Sequence, residues 1–505
     1  MAVQQIMQME PSAEPEKLVH ADEGAKWWIG FSLVALVTFG TFGLITAIKF
    51  IVPGLFNGID WLAWPRIRPA HVNGVVFGWL VPVAFGLYSY IIPRICGTKL
   101  YSEGLSKIAV VIWGIGVLVG TLFILNPWNT INPWLMTKGK EWEDYDVVSN
   151  VIITYAGLVM TYNLFRTIAQ RRYRQIYVSL WYGMGFMTWM LFAYVIGNWP
   201  GQALDYTFGP IFHLPKHYFG FVGSNDANVN WFYGHAIVGL VATPAFLGIA
   251  YYFIPKSLNA PLYSHKLSII GFWTIATIYI WVGAHHMIYG PIPYWLQTVA
   301  TIMSFLLFIP VVAAVTNFLG TMRGEMHQLR WNVPFKFLFS GTIMYFLVSA
   351  QGSFMALRPL SAVIHFTDFV IGHSHLALFG FATMFGYAGL YYAVPRIYKR
   401  PLYSEAIADW SFWFSLIGIS VYVLSLSVAG YVQGLMWADP SIPFVQTVTA
   451  MIPYWQARAG GGEFMVIGMI LVAFNVYKTA TARYETPTQD TDGAVSASDM
   501  TLTAR

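Results

Sequence analysis

Apolar residues along this chain gather in long, nearly unbroken stretches instead of alternating or recurring every three to four positions. Such stretches cross a bilayer when they reach about 20 residues in helical form. They lie at roughly 27–53, 70–94, 107–127, 147–170, 177–198, 230–255, 265–289, 294–319, 335–356, 364–394, 408–434 and 462–480. The pattern therefore predicts twelve membrane helices and an all-α, polytopic fold. Residues 1–26 read as a solvated tail: Glu10, Glu14, Glu16, Asp22 and Glu23 interrupt them, and no apolar signal core precedes Trp27. Residues 27–480 form the membrane domain, and 481–505, rich in Thr, Ser and Asp, is expected to be disordered. The pattern shows no internal repeat and no domain-sized soluble insertion. The longest loop, about 199–229, carries Pro200, Pro210 and Pro215 with His213 and His217, and is expected to pack over the membrane domain or against a partner.

Composition agrees. Of 505 residues, 57% are hydrophobic and 10% are charged, whereas soluble domains average about 25% charged. A water-soluble enzyme is excluded. With twelve spans the termini share a side, and 20 of the 28 Lys and Arg residues fall in the loops on that side. The positive-inside rule then makes both termini cytoplasmic. The basic residues are thus topology signals, and the net charge of +5 gives no reason to expect nucleic acid. Cys96 is the sole cysteine, so an internal disulfide, a thiolate cluster, a dinuclear copper site and a c-type haem attachment site are all excluded.

A chain this poor in charge carries 12 His. On the predicted topology His71 begins helix 2, His235 lies about a turn and a half into helix 6, His285 and His286 lie near the outer end of helix 7, and His373 and His375 lie two to three turns into helix 10. All six fall in the outer part of the bilayer at about 1.5 Å per residue. One histidine in a membrane helix is as often a hydrogen-bonded packing residue as a ligand, but six from four helices in one layer form a constellation. His373 and His375 are roughly 200° apart on a helix and would serve two centres. His285 and His286, roughly 100° apart, can turn toward one ion, with His235 as a third imidazole. His71 is left to pair with one of the helix-10 histidines. Imidazole suits copper and haem iron, and carboxylates are missing from these segments. His20, His217 and His327 carry no such pattern, and His365 has Asp368 one turn on.

These motifs, Arg66-Ile-Arg-Pro-Ala-His71, Trp231-Phe-Tyr-Gly-His235, Tyr279-Ile-Trp-Val-Gly-Ala-His285-His286 and His365-Phe-Thr-Asp-Phe-Val-Ile-Gly-His373-Ser-His375, resemble those of the haem-copper oxidase superfamily. The resemblance is to the catalytic subunit I of cbb3-type cytochrome c oxidase. It implies a twelve-helix bundle holding a low-spin haem b, a high-spin haem b and a copper ion, CuB. It implies that His71 and His375 are axial ligands of the low-spin haem, that His373 is the proximal ligand of the high-spin haem, and that His235, His285 and His286 bind copper. It also assigns Tyr279 as the catalytic tyrosine, covalently linked in this family to the copper-ligand histidine on helix 6, here His235. Dioxygen reduction to water needs four electrons without release of peroxide, and a phenol beside the metals can lend the last electron and proton. Arg66, Arg68, His365 and Asp368 become candidates for the haem propionates, the arginines otherwise being interface anchors. Thr243, Tyr252 and Ser268 become candidates for proton uptake from the cytoplasmic side.

The implied activity is a terminal respiratory oxidase in a bacterial inner membrane, coupled to proton uptake, with pumping left open by the sequence. Its electrons come from membrane-anchored c-type cytochrome subunits on the outer face, since Cys96 alone makes no such site. Three departures stand out. Gln351 occupies a helix-9 position where the family has glutamate, and His265 and Gly271 around Ser268 differ from the usual pattern. A nitric oxide reductase, with non-haem iron in place of copper, is the alternative reading. It would have glutamate four residues after His235, where this chain has Gly239. A haem-bearing electron carrier or transporter would not need the third metal site.

Overall fold

Twelve helices long and apolar enough to cross a membrane run through the described residues of the structure, a computed structural model that describes residues 18–126, 132–482, 484–485 and 501–502. They are α1 (Glu23–Ile48), α2 (Trp64–Cys96), α3 (Glu103–Leu125), α4 (Val147–Ala169), α5 (Val178–Gly197), α6 (Gly223–Leu258), α7 (His265–Met287), α8 (Tyr294–Met322), α9 (Val333–Met355), α10 (Asp368–Tyr398), α11 (Glu405–Ala438) and α12 (Phe444–Thr481). The disorder expected over 481–505 falls almost wholly outside the described residues, as does most of the N-terminal tail. The loop at 199–229 contains a further helix, Gly201–Phe212. Its Thr207 accepts from Trp134 Nε1 at 2.9 Å, which ties the loop to the preceding outer loop.

Two elements depart from the hydropathy reading. Helix α12 begins about eighteen residues earlier than its apolar run, because Gln446, Thr447, Pro453, Gln456 and Arg458 break the apolar signal. Two of these are buried against partners: Trp437 Nε1 donates to Thr447 at 3.2 Å, and Arg458 Nε donates to Tyr422 at 3.1 Å. Helix α7 is α-helical only to Ile278 and continues as 3-10 turns over Tyr279–Trp281 and Gly283–Met287.

The absence of an internal repeat is corrected by the structure. Helices α2, α6 and α10 share one plan. Each contains a π-helical stretch, at Val75–Leu80, Ile237–Ala242 and Leu376–Thr383. Each ends at a Pro followed by a basic residue (Pro93-Arg94, Pro255-Lys256, Pro395-Arg396) and is capped by a left-handed residue, Gly97, Asn259 or Lys399. A Leu-Tyr-Ser turn follows each time, and Ser102, Ser264 and Ser404 N-cap the next helix by accepting from Leu105, Leu267 and Ile407. A carboxamide two helices on then clamps the serine backbone. The Oδ1 of Asn163, Asn317 and Asn475 accepts from the serine N–H at 2.9, 2.8 and 3.1 Å. Their Nδ2 groups donate to the serine carbonyl at 2.9, 2.9 and 2.8 Å. The chain is therefore three four-helix units, α1–α4, α5–α8 and α9–α12. The repeat escapes the sequence because it rests on about a dozen positions at unequal separation.

Candidate metal centres

The second helix of each unit delivers histidine just before its π segment. A π turn carries one residue more than an α turn and is found mostly at functional sites. It turns the outer half of each helix relative to the inner half, so the imidazoles reach the interior while the inner end keeps its packing.

His71 on α2 and His375 on α10 face each other with ring centroids 6.2 Å apart and planes 15° from parallel. His71 Nδ1 donates to the Phe39 carbonyl at 2.7 Å, and His375 Nδ1 donates to the Ile371 carbonyl at 2.9 Å. Fixing both Nδ1 protons leaves both Nε2 atoms as ligands. One metal atom at about 2 Å from each nitrogen fits this gap. Tyr422 packs on the His375 ring at 4.4 Å.

His235, His285 and His286 place three ligand nitrogens within 4.8 Å of one another. His235 Nδ1 lies 3.1 Å from His286 Nε2, a spacing natural for two ligands of one ion. His285 Nδ1 donates to Ser304, whose own proton goes to the Ala300 carbonyl, and Trp231 stacks on His286 at 4.2 Å. His235 Nε2 is buried without a partner. Three neutral imidazoles without a carboxylate fit copper, and iron less well. The α-helical spacing assumed for 279–286 does not hold, since this stretch is 3-10, yet the histidines still converge.

The Tyr279 ring lies beside His235 with centroids 5.3 Å apart. It is there because position 239 is glycine: a Cβ on Gly239 would fall 1.9 Å from the Tyr279 ring. Gly239 therefore does more than omit a glutamate, since a side chain there and the phenol exclude each other.

His373 is turned away from His375, as their spacing predicts. Its Nδ1 donates to Gln351 Oε1 at 3.1 Å, and Gln351 Nε2 donates to Ser427 at 3.3 Å. Gln351 thus holds this imidazole through Nδ1 by hydrogen bonding alone.

The remaining sequence candidates are engaged with protein. Arg68 pairs with Glu141, and Arg66 reaches the carbonyls of Ile124 and Asn126. Asp368 accepts from Trp455 at 2.8 Å and faces Arg458 at 3.9 Å. His365 stacks on Phe366 at 4.0 Å; burial holds its pKa below the usual value, opposed by a hydrogen bond to the His286 backbone. Ser268 meets the Asn317 amide at 3.0 Å, and that amide also reaches the Tyr251 hydroxyl at 3.4 Å. Thr243 lies against Tyr279. Tyr252 instead packs on Tyr90 and Phe253, so its neighbour Tyr251 is the inward-facing residue.

Sequence reasoning missed Arg458. It is 6% exposed, its Nη1 has the Asp368 carboxylate at 3.9 Å but no hydrogen bond, and it lies near both His71 and His375. The signal was present, a cation within a membrane helix, but the shortened reading of α12 had placed it in a loop.

Comparison with known proteins follows this geometry. The family model described as cytochrome C and quinol oxidase polypeptide I matches residues 24–464. The cbb3-type cytochrome c oxidase subunit CcoN1 of Stutzerimonas stutzeri is 31% identical over 87% of this chain and 91% of its own length. A cytochrome c oxidase subunit 1 homolog of Bradyrhizobium diazoefficiens is 32% identical over 86% of this chain and 78% of its own. Among solved structures, a haem-copper terminal oxidase dimer superposes with a TM-score of 0.73 at 17% identity, over 92% of this chain and 85% of the other.

Proposed function

The chain belongs to the cytochrome c and quinol oxidase polypeptide I family as a cbb3-type cytochrome c oxidase subunit I, and from that premise we propose the roles of its individual residues. The observation that carries the reading is the meeting of three imidazoles, His235, His285 and His286, with the Tyr279 phenol. When bound, a low-spin haem b, a high-spin haem b and copper supply the electrons and the oxygen-binding metals for reducing dioxygen to water. His71 and His375 hold the first haem, His373 the second, and the triad the copper. The backbone carbonyls of Phe39 and Ile371, the Ser304 hydroxyl and Gln351 orient these imidazoles. Tyr279 supplies a proton and an electron from a ring that Gly239 admits. Arg66, Arg68 and Arg458 neutralise haem propionates, while His365 and Asp368 hydrogen-bond to them, Asp368 through a shared proton.

Electrons arrive from membrane-anchored c-type cytochrome subunits on the outer face. Protons rise from the inner side along Ser268, Asn317 and Tyr251 toward Thr243 and Tyr279. The excess of Lys and Arg on the terminal side supports cytoplasmic termini in a bacterial inner membrane. Nitric oxide reduction at a non-haem iron finds no support, because the carboxylate it needs at position 239 would displace the Tyr279 ring.

The test is a haem and metal inventory of the purified complex together with oxygen consumption on reduced cytochrome c. Two haems and one copper per subunit I, with cyanide-sensitive uptake, are expected. Absence of copper with no uptake would overturn the reading, and extra iron in place of copper would move it to the reductase.

A further inference from the structure

Tyr182, on α5, is completely buried, and its hydroxyl has no hydrogen-bond partner among the described residues. Other buried phenols are satisfied: Tyr88 donates to the Ala245 carbonyl, Tyr177 to the Tyr251 carbonyl and Tyr194 to Asn150. Two more lack partners, Tyr233 and Tyr387. Tyr233 lies near the outer end of α6, and Tyr387 packs among Trp79, Phe337 and Phe379. Tyr182 is different, because its ring stacks on Tyr251 with centroids 5.4 Å apart. Tyr251 is the upper end of the polar thread that starts at the Ser264 turn and passes through Ser268 and Asn317. Tyr345, on α9, is near Tyr182, Tyr251 and Tyr279. The unpartnered hydroxyl thus lies beside that thread and beside α7, the helix that leads to Tyr279, where the Tyr182 ring meets Phe272 with centroids 5.2 Å apart.

Position 271 decides where this hydroxyl goes. A Cβ on Gly271 would stand 3.2 Å from the Tyr182 oxygen, with the Pro310 carbonyl at 3.8 Å. The third unit offers a control built into the same chain. There the residue seven past the capping serine is Ser411, and its hydroxyl bonds to Tyr391, the counterpart of Tyr251, at 2.8 Å. The second unit has glycine at this place and receives a phenol from α5 instead.

We propose that the Tyr182 hydroxyl is a proton-relay group between the Ser268–Asn317–Tyr251 thread and Tyr279, and that Gly271 admits it. The proposal rests on the oxidase reading above. In one passage a proton arrives on the phenol oxygen from the inner side through hydrogen-bonded water, the phenol's own proton leaves toward Tyr345 and Tyr279, and the residue ends unchanged. Phenylalanine would fill the same space and stack on Tyr251 equally well, so the hydroxyl separates relay from packing.

The experiment compares Tyr182→Phe with the double variant Tyr182→Phe/Gly271→Ser in the complete membrane complex. Its readouts are oxygen turnover, the solvent deuterium isotope effect, and haem and copper content. Tyr182→Phe should keep full haem and copper while turnover falls roughly tenfold or more and the isotope effect rises. The added serine, placed as Ser411 is beside Tyr391, should return turnover to within about threefold of the unsubstituted protein. Turnover of Tyr182→Phe within twofold of the unsubstituted protein would sink the proposal. So would a loss that the serine does not rescue, or one accompanied by loss of haem or copper, either of which marks a packing role. Absence of oxygen uptake in the unsubstituted complex would overturn the oxidase reading itself, and the relay with it.

Discussion

At their inner ends, α2, α6 and α10 are close to copies of one another. Each has the same proline, left-handed cap, Leu-Tyr-Ser turn and Asn clamp, with clamp distances that agree within 0.3 Å. At their outer ends they share little beyond imidazole, which comes as one ring, one ring and two rings, at different distances from the π segment. The inner ends solve one problem three times, namely how to turn a chain at a membrane surface with every backbone group satisfied. The outer ends solve three problems once each. Repetition marks stability here, and divergence marks chemistry.

The sharpest way to break that contrast is at an outer position where a methyl group decides the chemistry. Gly239→Ala should displace the Tyr279 ring, because the new Cβ would lie 1.9 Å from it. Oxygen turnover is expected to fall by about 100-fold or more, comparable to losing a proton donor, with haem spectra retained. Normal turnover would show that the phenol is not needed where it stands. An intermediate effect is expected at the inner ends. Asn163→Ala and Asn475→Ala each strand a serine N–H and carbonyl, costing about 2–3 kcal/mol in thermal unfolding while turnover per folded molecule stays unchanged. Asn317→Ala should cost the same stability and also slow turnover, since its amide also reaches Ser268 and the Tyr251 hydroxyl on the proposed proton path. Equal turnover in all three variants would make the inner ends fully equivalent.

The smallest effect lies in the outer loop. Glu143 is 1% exposed with neither carboxylate oxygen bonded, and burial pushes its pKa up to about 8 against the pull of Lys138 and Lys140. Between the ordinary carboxylate value and about 8 the folded chain holds a proton that the unfolded chain has released, so stability falls as pH rises through that window. Glu143→Gln cannot suffer this loss. Its advantage in unfolding should be small near pH 5 and grow steadily up to about pH 8; a pH-independent difference would place the cost elsewhere.

Much of this was legible in the sequence. The spans emerge from hydropathy because lipid imposes a single sign on long stretches, and the six histidines stand out because ionisable groups are rare at that depth. The same reasoning failed where polar residues are paid for by neighbours distant in sequence. Arg458 and the first half of α12 read as loop because Tyr422, Trp437 and Asp368 are invisible along the chain. The sequence points to Tyr252 and passes over Tyr251 because side-chain direction near a helix irregularity cannot be taken from ideal spacing. Gly239 was read as a missing ligand when its role is steric, and the sequence does not say which ring needs the room.

The π segments carry a genetic consequence. Each is a local surplus of one residue, so a one-codon deletion within Val75–Leu80, Ile237–Ala242 or Leu376–Thr383 would restore an ordinary helical turn and swing the histidine above it by about 100°. Hydropathy, span count and the inner clamp would all survive. Such an allele would give a fully inserted protein at normal abundance that has lost its metal geometry, a null phenotype with no sign of misfolding.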